Sequence, residues 1–237
     1  MGYTVRGGEA GGARSGLPRA TAQGWLSTRA VRTGIVVLSL LALALGLGLV
    51  AYRGWPVLAI GSLCLLAALA YMGGPLPIAY TPLGELTVFL FFGLVAVLGT
   101  EWVLTGGAGP VSALAGTAIG GLAAAALAVN NHRDIAHDRL NGRHTFAVRY
   151  GEQASRRLFS VLLVGPFAVL PVMALVAVSP ALLLPVLLLP TAWALRRDFI
   201  RCAPGQAFNR LLSRTFRLEL WFAALLSAGA ALARLRV

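Results

Sequence analysis

Apolar residues occur along this chain in long unbroken blocks, not in the strict alternation of a half-buried strand. A helix needs about 20 such residues, at 1.5 Å each, to cross roughly 30 Å of hydrocarbon. Seven blocks meet or approach that length: Thr33–Tyr52, Trp55–Met72, Leu86–Leu104, Pro110–Val129, Leu158–Val178, Ala181–Leu195 and Leu218–Ala233. They predict an all-α integral membrane protein of about seven transmembrane helices. The sixth block is the shortest and lies between Pro180 and Pro190. The connections Arg53-Gly54 and Ser179-Pro180 are short enough to force their neighbours into antiparallel hairpins. The first 32 residues are too long and too Arg-rich for the leading region of a cleavable signal.

Composition agrees. Of 237 residues, 58% are apolar before the 28 glycines are counted, against roughly 45–50% with glycine included in soluble domains. That excludes an ordinary soluble domain, a disordered chain and a polar nucleic-acid-binding module. The chain has 20 basic residues, all arginine, against 8 acidic ones, for a net charge of +12. Their positions need no nucleic acid to explain them. Residues 1–32 hold five, the stretch 130–157 six and the stretch 196–217 six, and seven spans place all three on one side. Seventeen of twenty arginines on one face is the bias of cytoplasmic loops, so these segments are expected in the cytoplasm and the spans in the cell membrane. This divides the chain into an Arg-rich segment, 1–32, and a polytopic domain, 33–237. The fourth block carries Gly116-x-x-x-Gly120 beside Gly121 and Ala123–Ala126, the small residues of a tightly packed central helix. Cys64 and Cys202 are too few and too far apart for a disulfide framework.

Chemistry concentrates where that fourth block meets the arginines, at Asn130-Asn131-His132-Arg133-Asp134-Ile135-Ala136-His137-Asp138-Arg139. The helix is expected to continue through this stretch and end at Asn141-Gly142. On it Asp134 and Asp138 share a face, with Asn130 and Asn131 one turn earlier. Two carboxylates so placed repel unless a cation stands between them. Arg133, Arg139 and Arg143 are near, and a divalent ion serves better. Mg²⁺ is commonly held by one or two carboxylates plus substrate phosphates, and arginine adds paired donors for phosphate oxygens. A helix end solvated by ordinary ion pairs is the competing reading, weakened by two asparagines at the membrane boundary, where unpaired polar groups are costly. His132, His137 and His144 lack the spacing of a three-ligand zinc site, and Glu101 and Asp198 read as ion-pair partners. A second unusual stretch, Tyr71–Glu85, has three prolines and three glycines in fifteen residues and cannot be regular helix. Irregular backbone at membrane depth is tolerated when buried or lining a cavity, so this stretch is a candidate pocket for an apolar tail and an aromatic ring.

These residues resemble the UbiA-type membrane prenyltransferases, in particular those acting on 1,4-dihydroxy-2-naphthoate. The likeness rests on N-N-x-R-D-I-x-x-D-R at Asn130–Arg139, G-R-x-T-x-A-V-R-x-G at Gly142–Gly151, Y-x-G-G-P-x-P-x-A-Y at Tyr71–Tyr80 followed by Leu83-Gly84-Glu85, and F-F-G-L-V-A-V-x-G-T at Phe91–Thr100. Gln23-Gly24-x-Leu26-Ser27 and the segment Gly205–Leu211 extend it. The resemblance implies a helical bundle with a cavity open to lipid, in which Asp134 and Asp138 bind Mg²⁺ and the diphosphate of a polyprenyl donor. It implies substrate-binding or positioning roles for Asn130, Asn131, Arg133, Arg139, Arg143, Gln23, Tyr71 and Tyr80. The reaction implied is polyprenyl transfer to 1,4-dihydroxy-2-naphthoate with loss of CO₂, giving demethylmenaquinone in menaquinone biosynthesis. Another aromatic acceptor, or an inactive membrane protein of the same fold, is the alternative. The family pattern has nine spans and a first motif N-D-x-x-D before its third. The matching place here is Met1–Val5, with Tyr3 and Glu9 nearest to that motif. The expectation is therefore a chain that lacks two spans and the first Asp-rich motif.

Overall fold

A computed structural model describes residues 20–21, 23–203 and 207–234. Tyr3, Glu9 and the arginines before residue 20 lie outside the described residues, as does part of the Gly205–Leu211 segment. Among the described residues all regular structure is helical. Helix α1 (Thr28–Arg53) starts five residues before its apolar block because the Ser27 hydroxyl accepts the Ala30 amide at 3.1 Å and caps it. Gly54, at φ +80°, makes the reversal. Helix α2 (Trp55–Met72) has the bounds the block predicts. After the irregular segment and a 3₁₀ turn at Ile78–Tyr80 comes α3 (Gly84–Thr105), whose middle, Phe89–Val95, widens to a π-helix.

Helix α4 (Pro110–Arg133) is followed by the short α5 (Ile135–Leu140) and by α6 (Phe146–Val176). Gly151, at φ +83°, kinks the start of α6. Its amphipathic first turns, with Arg149, Arg156 and Arg157, are why the apolar block alone began later. Last come α7 (Leu189–Arg201) and α8 (Phe208–Arg234). Among the described residues six helices are long and apolar enough to cross a membrane. The sixth apolar block is not one of them. Pro180, Pro185 and Pro190 interrupt α-type bonding, and Pro180–Leu188 forms a 3₁₀ helix that feeds α7. A 3₁₀ helix rises about 2.0 Å per residue, so this short block still extends about 28 Å from Pro180 to Leu195.

Helix α4 is central, packing on α3, α6 and α8. The Gly116–Gly120 pair does what its spacing predicts. A Cβ on Gly93 of the π segment would sit 2.5 Å from the Gly120 Cα and collide with the Gly116 carbonyl. Lipid competes equally for apolar side chains, so van der Waals contact of this closeness, not hydrophobic expulsion, holds α3 on α4. At the opposite end of the bundle from the acidic stretch, Arg53 donates to the Val103 and Leu104 carbonyls, both at 2.6 Å, tying α1 to the end of α3. Glu101, expected in an ion pair, instead accepts the Gly109 amide at 2.8 Å. The four carbonyls at a helix end have no intrahelical donor, and the Arg53 guanidinium satisfies two of them. Asp198 does form the expected ion pair, with Arg214 at 2.7 Å.

Candidate functional site

The acidic stretch begins where α4 stops. The expectation of an unbroken helix needs correction: Asp134 has φ −97° and ψ +10°, so α4 ends at Arg133 and α5 restarts at Ile135. An ion pair occupies the break. Neighbours i and i+1 do not face each other on a regular helix, yet Arg133 donates to both oxygens of Asp134, from Nε at 2.9 Å and Nη2 at 2.7 Å. The break lets them meet. The turn spacing survives it, since the Asp138 amide still donates to the Asp134 carbonyl at 2.8 Å. The stretch ends at Asn141-Gly142 as predicted, with Gly142 at φ +66°.

Both carboxylates are buried, Asp134 at 5% and Asp138 at 3% exposure. Each has its own arginine: Arg143 reaches Asp138 at 3.3 Å. Arg133 is spent on protein groups. Besides Asp134 it donates to Asn130 Oδ1 at 2.6 Å and to Asn209 Oδ1 on α8 at 2.8 Å. It is a strap that fixes the first carboxylate against two helices, not an open cation. Asn209 was not singled out in the sequence, though it lies in the Gly205–Leu211 segment that carries part of the resemblance. Behind the strap, His132 is fully buried between Phe199 and Phe208, with ring centroids 4.9 and 5.1 Å away, and Phe159 stacks on Phe199 at 3.9 Å. This aromatic layer from α4, α6, α7 and α8 makes a stiff backing for the acidic end of α4.

The irregular segment closes the other side. Asn131 donates from Nδ2 to Glu85 Oε1 at 2.9 Å, and Glu85 is only 5% exposed with no partner on Oε2. The Tyr71 hydroxyl is near the same place, 3.9 Å from where a Cβ on Gly84 would lie. Arg143 sits 4.4 Å over the ring of Tyr80 and donates to its hydroxyl at 3.3 Å, while the His144 amide donates to the Tyr80 carbonyl at 2.8 Å. The structure thus gathers Asn130, Asn131, Arg133, Asp134, Asp138, Arg143, Tyr71 and Tyr80. It does not bring in Arg139, which is exposed, or Gln23, exposed in the turn before α1. Glu85 was visible only as the end of Leu83-Gly84-Glu85. A cavity of about 420 Å³ lies between residues 75–82 and 141–149, with Tyr80 in its wall.

The donor set suits a hard divalent cation. Among the described residues no third His, Cys, Asp or Glu joins the two aspartates in a metal-holding cluster. The Arg133 fork uses one lone pair on each Asp134 oxygen and leaves the second. Two carboxylates are the oxygen donors that Mg²⁺ commonly takes from a protein, with water and phosphate completing its shell.

Residues 18–223 match the model of the UbiA prenyltransferase family. The chain is 37% identical over 151 residues to the 1,4-dihydroxy-2-naphthoate octaprenyltransferase of Mycobacterium leprae, covering 64% of this chain and 51% of that protein. It is 35% identical over 160 residues to the Escherichia coli protein of the same name, with the same coverage of each chain. Against the Bacillus subtilis protein so named it is 32% identical over 194 residues, 80% of this chain and 61% of that one. The chain thus spans about half the length of the first two relatives. No solved structure matches it.

Proposed function

The chain belongs to the UbiA prenyltransferase family and has its all-helical, multi-pass membrane fold, and on that premise we propose that it takes part in transferring a polyprenyl group from its diphosphate to 1,4-dihydroxy-2-naphthoate. One observation carries the reading: two buried carboxylates a helical turn apart at a membrane-helix end, each oriented by its own arginine. Mg²⁺, when bound there, neutralises the diphosphate and makes it a better leaving group. Asp134 and Asp138 would hold it. Arg133 keeps Asp134 in a single orientation, and Arg143 orients Asp138 and adds positive charge beside the departing diphosphate. Asn131 and Glu85 fix the start of α3 against the motif.

In the reaction the allylic C–O bond breaks and diphosphate leaves with the electron pair. The ring carbon that bears the acceptor's carboxylate forms the new C–C bond, and the carboxylate departs from it as CO₂, its bonding pair restoring the aromatic ring. The surrounding apolar helices exclude water that would otherwise capture the allylic cation. The names of the Mycobacterium leprae, Escherichia coli and Bacillus subtilis relatives support naphthoate as the acceptor. The arginine bias supports a cytoplasmic site in the cell membrane, with the motif at the inner face.

The test is prenyl transfer in membranes containing the chain, supplied with octaprenyl diphosphate, 1,4-dihydroxy-2-naphthoate and Mg²⁺. The expected result is a decarboxylated prenylnaphthoquinol that disappears in Asp134→Asn, with membrane insertion unchanged. Product formation by Asp134→Asn at the wild-type rate refutes the site, and transfer only to a different aromatic acid refutes the acceptor.

A further inference from the structure

Tyr80, bonded to Arg143 of the proposed diphosphate site, also lines the cavity of about 420 Å³, a size typical of small-ligand sites. Its lining combines Pro75, Pro77, Pro82 and Tyr80, rigid residues of which the prolines offer no amide donor, with the polar side chains of His144 and Arg149. Arg149 is exposed, and among the described residues no carboxylate pairs with it; Glu152, one turn on, lies 3.6 Å from Arg156 instead. The Arg149 guanidinium carbon lies 5.9 Å from the centre of the Tyr150 ring. A guanidinium with its donors uncommitted beside an apolar wall is built to receive a flat apolar anion, because its fork matches a carboxylate in two parallel bonds.

We propose that this cavity binds an aromatic carboxylate, with Arg149 pairing to the carboxylate and the proline–Tyr80 wall taking the ring. This rests on the reading of the chain as an aromatic prenyltransferase and deepens it by naming Arg149 as the residue that recognises the acceptor's acid group. Tyr80 couples the two halves. Its ring lines the cavity while its hydroxyl accepts Arg143, and Arg143 reaches Asp138. An acceptor seated here is one side-chain layer from the proposed diphosphate site.

The experiment is binding of 1-hydroxy-2-naphthoate to the purified full chain in detergent, followed by ligand fluorescence anisotropy, with 1-naphthol as the analogue lacking the carboxylate. Arg149→Ala is expected to weaken hydroxynaphthoate binding by about tenfold, with Arg149→Lys recovering part of the loss and 1-naphthol binding equally to all three proteins. Asp134→Asn, designed to lose the diphosphate, is expected to keep hydroxynaphthoate binding. Unchanged hydroxynaphthoate affinity in Arg149→Ala overturns the proposal. So does a parallel loss of both ligands, and so does displacement of hydroxynaphthoate by inorganic diphosphate, which would make the cavity a phosphate site. If Arg149-dependent binding holds while Mg²⁺-dependent donor binding is absent, the diphosphate reading falls and this one stands.

Discussion

Replacing Arg133 with alanine removes four hydrogen bonds at once, two to Asp134 and one each to Asn130 and Asn209. The side chains of Arg133 and Asp134 are only 4% and 5% exposed, so solvent screens the pair little. Removing one partner of a buried ion pair costs about 3–5 kcal/mol, because the remaining charge has no compensation. The amide oxygens of Asn130 and Asn209 each lose this donor, which adds to the cost, while water entering the vacated volume offsets part, so about 3–5 kcal/mol stands as the expected loss. That is a large share of the stability of an ordinary domain, roughly 5–15 kcal/mol. The assay is unfolding of the purified protein in mixed micelles as denaturing detergent is raised, followed by tryptophan fluorescence. Arg133→Lys retains charge but cannot fork across both carboxylate oxygens, so its midpoint should fall between wild type and alanine. The double variant Arg133→Ala/Asp134→Ala should be more stable than Arg133→Ala alone, since the orphaned carboxylate is gone. A wild-type midpoint for Arg133→Ala, or a double variant with the two losses simply added, would refute the strap.

Two further outcomes follow from the packing. Gly120→Val drives a side chain into the Phe89 carbonyl and the Gly93 Cα, both backbone atoms that cannot rotate away; it should lower the thermal unfolding temperature by an amount equivalent to about 1–3 kcal/mol or more. Gly48→Ala, with no atom near its added methyl, serves as the neutral control. Asn131→Leu removes the donor that holds buried Glu85 and should cost about 1–3 kcal/mol in the same detergent titration, with Glu85→Leu in that background recovering part of the loss.

Much of the fold was legible because a membrane simplifies the code: length and apolarity alone place a spanning helix. Trp55–Met72 has the predicted bounds at both ends, and Pro110 starts α4 as its position suggests. Helix starts that are not apolar were harder to see. The first ten residues of α8, from Phe208, carry Arg210, Arg214 and Arg217 and read as loop, although Phe208 itself is buried against His132. The 3₁₀ stretch at Pro180–Leu188 could be suspected from its prolines but not assigned, because periodicity does not separate a buried 3₁₀ run from a short α-helix.

At the site, the residue types and spacing were readable and their partnerships were not. Asp134 and Asp138 were found as a pair by turn spacing, yet the break between α4 and α5 accompanies an adjacent Arg133–Asp134 contact that a regular helix, whose neighbouring side chains diverge, does not favour. The long-range partners Asn209 and Glu85 lie 76 and 46 residues from the groups they bond. No local pattern announces such contacts. Arg139 and Gln23 show the converse, residues nominated for their place in a motif that the fold leaves exposed.

The most direct measurement is calorimetric titration of the purified chain with a non-reactive farnesyl thiodiphosphate, in Mg²⁺ and in EDTA. Binding should require Mg²⁺ and weaken by at least about tenfold in both Asp134→Asn and Asp138→Asn, with the unfolding midpoint of Asp138→Asn showing that the fold persists. Equal affinity in EDTA and in Mg²⁺, undiminished by either substitution, would contradict the assignment of these two carboxylates to a magnesium diphosphate.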